Sequence, residues 1–187
     1  MAEILRRLRL LVSPRPPEPM ASAAMSGRPA AFVRRLARLL AGGLCWGVMM
    51  ALSALFSLYV GNGLRTEHAV ALTLLYFIGG LLAWAPALAA AGFCAPRRRP
   101  TETRFAAYFL ALAIGTLSVT AFLFALDYRD FYARWHAPFG SAVWMFQFAF
   151  TSASAGYQFA ILGSRLFLPL GLPFLLATSL YLARRPH

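Results

Sequence analysis

The stretch WMFQFAFTSASAGYQF, residues 144–159, sets Trp144, Phe146, Phe148 and Phe150 at every second position and follows them with small polar residues. Alternation of this kind is the pattern of a half-buried strand. Composition argues otherwise. Of 187 residues, 60% are apolar and only 13% charged, too little polar surface to cover a soluble globule. The bilayer is the natural solvent for such a chain, and an isolated strand there would leave its backbone groups unpaired. The stretch is therefore expected to be helical.

Helical spacing supports this. Gln147, Thr151, Ser154, Gln158 and Arg165 fall at i, i+4, i+7, i+11 and i+18, within ~40° of one line on a 3.6-residue helix. This polar seam is narrow and mostly neutral, whereas a helix lying in the membrane surface normally shows a broad charged face. The seam is expected to meet other helices or water.

Four long apolar stretches occupy 39–60, 69–95, 105–126 and 139–183. A hydrocarbon core of ~30 Å needs about 20 helical residues, so the first three each fit one crossing. The fourth, at ~68 Å as a helix, is too long for one. Spans at 141–162 and 166–183, with GSR (163–165) as a turn on the inner side, give a bundle of five transmembrane helices. The alternative is four crossings plus one interfacial helix, with 141–160 lying in the outer interface and 161–183 crossing. The positive-inside rule hardly separates them, because they differ only in where Arg165, Arg184 and Arg185 fall.

The net charge is +12 and lysine is absent. The arginines cluster where topology puts them, with Arg34, Arg35 and Arg38 before the first span and Arg97, Arg98, Arg99 and Arg104 between the second and third. Both flanks are read as cytoplasmic or matrix-side, and nucleic acid is not an expected partner. Residues 1–30 form a separate arm. Ile4, Leu5, Leu8, Leu11 and Val12 share one side of a short amphipathic helix, Arg6, Arg7 and Arg9 the other, and the proline-rich SPRPPEP (13–19) ends it. Translation starting at Met20 or Met25, or a targeting role, would remove that arm from the working protein. The single domain at 31–187 is placed in a bacterial inner membrane with the N-terminus cytoplasmic, or else in the mitochondrial inner membrane.

Small residues recur every four positions: Gly43 and Gly47 in the first span, Gly79, Ala83, Ala87 and Ala91 in the second, Ala107, Ala111 and Gly115 in the third. Such spacing lets helix backbones approach, here within one chain rather than between copies. Pro86, Pro169 and Pro173 are expected to kink or weaken their helices.

Chemistry-bearing motifs are largely absent. No HExxH, CxxC, Walker loop, GxSxG or dinucleotide fingerprint occurs, Cys45 and Cys94 stand alone as reduced packing residues, and no cofactor or metal is expected. The outer loops hold the remaining candidates, Glu67 and His68 in the first and Asp127, Asp130 and His136 in the second. Carboxylate and imidazole together suit metals or acid–base chemistry. The same residues suit a solvated loop: Asp130 and Arg134 stand at the i, i+4 spacing of an ion pair, and Tyr128, Tyr132 and Trp135 match interfacial anchors. Three function classes follow. The first is an accessory or scaffold subunit that packs, apart from the lipid bilayer itself, against other membrane subunits or a second copy. The second is an oligomeric carrier or channel using the seam, and the third an outward-facing enzyme using the loops.

Overall fold

Long runs of Leu, Ala and Phe with few breakers give a chain that is all helix among the described residues. The computed structural model describes residues 20–61, 68–96, 98–168 and 170–185, of which 20–30 by backbone alone. The expected amphipathic helix at 1–12, the proline-rich linker, Glu67, Arg97 and Pro169 lie outside the described residues. By contacts the chain divides into Met1–Arg38 and Leu39–His187. The second unit carries the fold described below.

The helices are α1 (Met20–Val60), α2 (Ala69–Cys94), α3 (Thr101–Ala133), α4 (Ala142–Gln158) and α5 (Gly171–Arg184). Between α4 and α5 the chain passes through a π-helical turn, Phe159–Gly163, and a 3-10 turn, Ser164–Phe167. Three segments are long and apolar enough to cross a membrane: Ala31–Val60, Ala69–Cys94 and Thr101–Ala133. The first and third exceed the expected 39–60 and 105–126, and DYRDFYA (127–133), expected as loop, continues α3. Ala142–Phe167 and Gly171–Arg184 pass the same test only together and are bent by 69° at the break between them. Counted as one span they bring the total to four rather than the expected five. The physical reason is length, since α5 alone is about 21 Å, short of a ~30 Å core.

Glycines set how closely the helices pack. A Cβ on Gly47 of α1 would lie 2.7 Å from the Phe77 carbonyl oxygen of α2, and one on Gly80 of α2 would lie 3.0 Å from the Gly47 Cα. On the adjacent face of α2, a Cβ on Gly79 would collide with Thr120 of α3, while Gly115 of α3 faces Ala87. The small-residue stripes are thus occupied within the chain. Around them Trp46, Met50, Trp84, Ala87, Leu112 and Leu182 form one buried cluster, and Ala54, Tyr76 and Phe159 a second, with Phe167 packed against both. Cys45 and Cys94 are not in this core; both are exposed on the helix surface.

Hydrogen bonds fix the direction of the last two helices. An Arg104 guanidinium nitrogen donates to the Leu182 carbonyl at 3.3 Å, so α5 ends beside the start of α3, at the arginine-rich end of the bundle. Its other end meets α1 close to Val60, where Ser53 donates to the Phe167 carbonyl at 2.9 Å. Helix α4 behaves differently. As α4 proceeds its partners run back along the chain towards α3: Thr151 meets His136, Gln158 meets Tyr128, and Phe159 just beyond it meets Phe124, while Phe148 takes the long Arg129 side chain. It therefore packs antiparallel against the last turns of α3 and the loop that follows them. Ser141, whose side chain accepts from the Trp144 amide at 3.1 Å, caps its start, and the left-handed Gly140 (φ 84°) turns the chain into it.

Candidate functional site

Two sets of residues that are separate in sequence meet at the Val60 end of the bundle. From the seam, Gln147 accepts from the Ala137 amide at 2.8 Å, Thr151 lies 3.3 Å from the His136 Nε2, and Gln158 donates to the Tyr128 hydroxyl at 3.2 Å. The Thr151 hydroxyl also reaches its own helix, 2.5 Å from the Gln147 carbonyl. The polar ridge of α4 is thereby turned onto the end of α3 and the loop that follows it. Between the two helices the Arg129 guanidinium sits 4.1 Å from the centroid of the Phe148 ring, and its Nε is buried without a hydrogen-bond partner. An aromatic face attracts a cation in this way, and it offsets part of the lost hydration.

The other seam members do not join them. Ser154 is exposed, and so is Arg165 in the 3-10 turn. The GSR turn, expected at the inner end of a fourth span, stands instead near the Val60 end of α1, because the adjoining Leu166 carbonyl is approached by Ser53 and Ser57 at 3.2 and 3.4 Å. Ser53 is seven residues from Val60, about two turns or ~10 Å.

The outer-loop candidates divide as well. His136 belongs with α4, whereas His68, Asp127 and Asp130 border an open groove of about 760 Å³ between the start of α2 and the end of α3. Its mouth also carries Tyr128, Tyr132 and Arg134; its deeper walls are Leu72, Leu75, Ile78, Leu123 and Phe124. The Arg134 guanidinium lies over the Phe131 ring, 5.5 Å from its centroid. Rings of Tyr128, Tyr132, Phe131 and Trp135 touch in succession, tilted or edge to face, along this end of α3, a cluster of the kind that membrane interfaces favour. Among the described residues no three His, Cys, Asp or Glu side chains come close enough together to hold a metal ion.

Three hydroxyls that the sequence did not single out hold the broken segment. Ser53 and Ser57 donate to carbonyls of Leu166, Phe167 and Leu168, and the buried Tyr76 donates to the Gly163 carbonyl. A helix that loosens into π and 3-10 turns frees carbonyls that lipid cannot satisfy. The i, i+4 spacing of Ser53 and Ser57 on an otherwise apolar helix was the available signal. No known protein family, curated protein or solved structure matches this chain.

Proposed function

We propose that the chain is a four-crossing membrane protein acting as an accessory or scaffold subunit of a larger membrane assembly. In this arrangement α1, α2 and α3 each cross, α4 lies in the outer interface, and the bent segment through α5 returns to the inner side. Both termini are then cytoplasmic, in a bacterial inner membrane or its mitochondrial counterpart. The position of Leu182 beside Arg104, which brings the end of α5 back to the arginine-rich side, supports this over five crossings. The exposed Phe146, Phe150 and Tyr157 on α4 suit a helix immersed in the headgroup boundary.

One observation carries the functional reading: three polar side chains inside the bundle, Trp46, Ser53 and Tyr76, join its helices, although the buried Trp84 indole and the Thr120 and Ser179 hydroxyls have no hydrogen-bond partner among the described residues. The Trp46 indole donates to the Thr116 hydroxyl at 3.0 Å across α1 and α3, and Ser53 and Tyr76 cap the broken segment. A solute route needs such groups free along its length, and catalysis needs a convergent set of acids and bases. Here Gln147, Thr151 and Gln158 are engaged at one end, and His136 and His68 belong to different clusters.

Purification in mild detergent tests the reading. A partner at fixed stoichiometry is the expected result, and a lone monomer overturns it. Solute flux in proteoliposomes that Gln147→Leu abolishes would favour a carrier instead. An activity lost in His136→Ala but kept in Gln147→Leu would favour an enzyme.

A further inference from the structure

The groove between α2 and α3 has the dimensions and polarity of a site for one membrane lipid. On α2 it runs from His68 to Ile78 and on α3 from Arg134 to Leu123. Ten helical residues span about 15 Å, half of a ~30 Å hydrocarbon core, which is the depth of one leaflet. Its chemistry changes along that depth. His68, Asp130 and Arg134 stand towards the mouth and Asp127 about two turns further in, near the level of Leu72, while the far end is Leu75, Ile78 and Leu123 with the ring of Phe124. A volume near 760 Å³ falls within the range of small-molecule sites.

The polar end also selects among heads. Asp127 and Asp130 supply two carboxylates, while Arg134 and His68 border the opening. An anionic head without an amine would face the carboxylates unpaired. A quaternary ammonium could meet them as a charge but has no N–H to donate. A primary ammonium next to a phosphodiester satisfies both sides, with charge-assisted hydrogen bonds to the carboxylates and a guanidinium beside the phosphate. We propose that this groove is a phospholipid site seating an acyl chain between α2 and α3 and holding the head of a phosphatidylethanolamine with Asp127, Asp130 and Arg134.

The test uses the full chain in detergent, exposed to an equimolar mixture of phosphatidylethanolamine, phosphatidylcholine and phosphatidylglycerol with identical acyl chains. Bound lipid is counted by native mass spectrometry, and the outcome does not depend on whether a protein partner is found. Retention of phosphatidylethanolamine about tenfold above either competitor is expected of the wild type. The pair Asp127→Asn and Asp130→Asn should abolish that preference, and Ile78→Trp, which fills the deep end, should lower retention of all three lipids alike. Equal retention of the three lipids by the wild type overturns the proposal, as does a preference that survives both asparagine substitutions. Should the doubly substituted chain fail to fold, the wild-type comparison and single Asp127→Asn still decide.

Discussion

The Tyr76 hydroxyl on α2 donates to the carbonyl of Gly163, the last residue of the π-helical turn. Tyr76 is fully buried, and its ring also packs 4.8 Å from that of Phe167. Removing the hydroxyl keeps the ring contact and leaves a carbonyl unpaired in an apolar setting. Tyr76→Phe is therefore expected to lower stability by about 1–2 kcal/mol, measured as a shift in the unfolding midpoint in mixed detergent micelles. An unchanged midpoint would mean that water or another donor reaches Gly163.

Close helix approach makes a second expectation specific to position. Gly47→Ala puts a methyl 2.7 Å from a backbone oxygen that cannot swing away, whereas a Cβ at Gly92 meets nothing within 4 Å. The first change should cost about 1–3 kcal/mol through forced separation of α1 and α2. The second should be neutral or slightly stabilising, since alanine favours helix over glycine by about 1 kcal/mol. Equal effects in the same micelle assay would contradict the close contact.

The indole–hydroxyl bond between Trp46 and Thr116 can be isolated by a double-mutant cycle of Trp46→Phe and Thr116→Val. Hydrogen bonds between membrane helices couple by about 0.6 kcal/mol on average and up to roughly 1.7. Full burial of both partners places this pair toward the upper part of that range. Strict additivity of the two substitutions would remove the bond from the account of stability.

Gln147→Leu removes the acceptor of the Ala137 amide, on the loop that joins α3 to α4. Amide exchange over residues 134–141 is expected to quicken by about tenfold, one hydrogen bond's worth, while α2 and α3 keep their protection. Quickening throughout the bundle would show that this bond supports more than the end of α3 and the loop after it.

Much of the architecture was legible because membrane helices announce themselves by length and apolarity: α2 ends within a residue of the expected span, and the stripes through Gly47, Gly79 and Gly115 sit where helices touch. The seam was visible as a periodicity, but its partners were not. Gln158 meets Tyr128 and Thr151 meets His136 through a turn in the chain that no local pattern encodes. The narrow neutral ridge favoured a fifth crossing, whereas the described helices are long and apolar enough for three, or four with the bent pair counted as one, and the end of α3, projecting past the expected span, receives part of that ridge. The break itself was expected at GSR (163–165), within the Phe159–Phe167 turns, but the groups that satisfy it were not. Gly163 and Ser164 are ordinary helix residues until hydroxyls from α1 and α2 accept the task of satisfying their neighbourhood's carbonyls.

That dependence reaches back to how the protein is made. With about 21 Å of helix and freed carbonyls at its start, the segment ending at Arg184 has little drive to enter lipid unaided. Ser53, Ser57 and Tyr76, which receive it, leave the ribosome long beforehand. Insertion then runs in one direction only: a chain ending after residue 133 is expected to integrate its three long helices, whereas residues 142–187 expressed alone should stay at the surface and be extractable with alkali. In the proposed four-crossing arrangement, the last crossing is in effect templated by the first two.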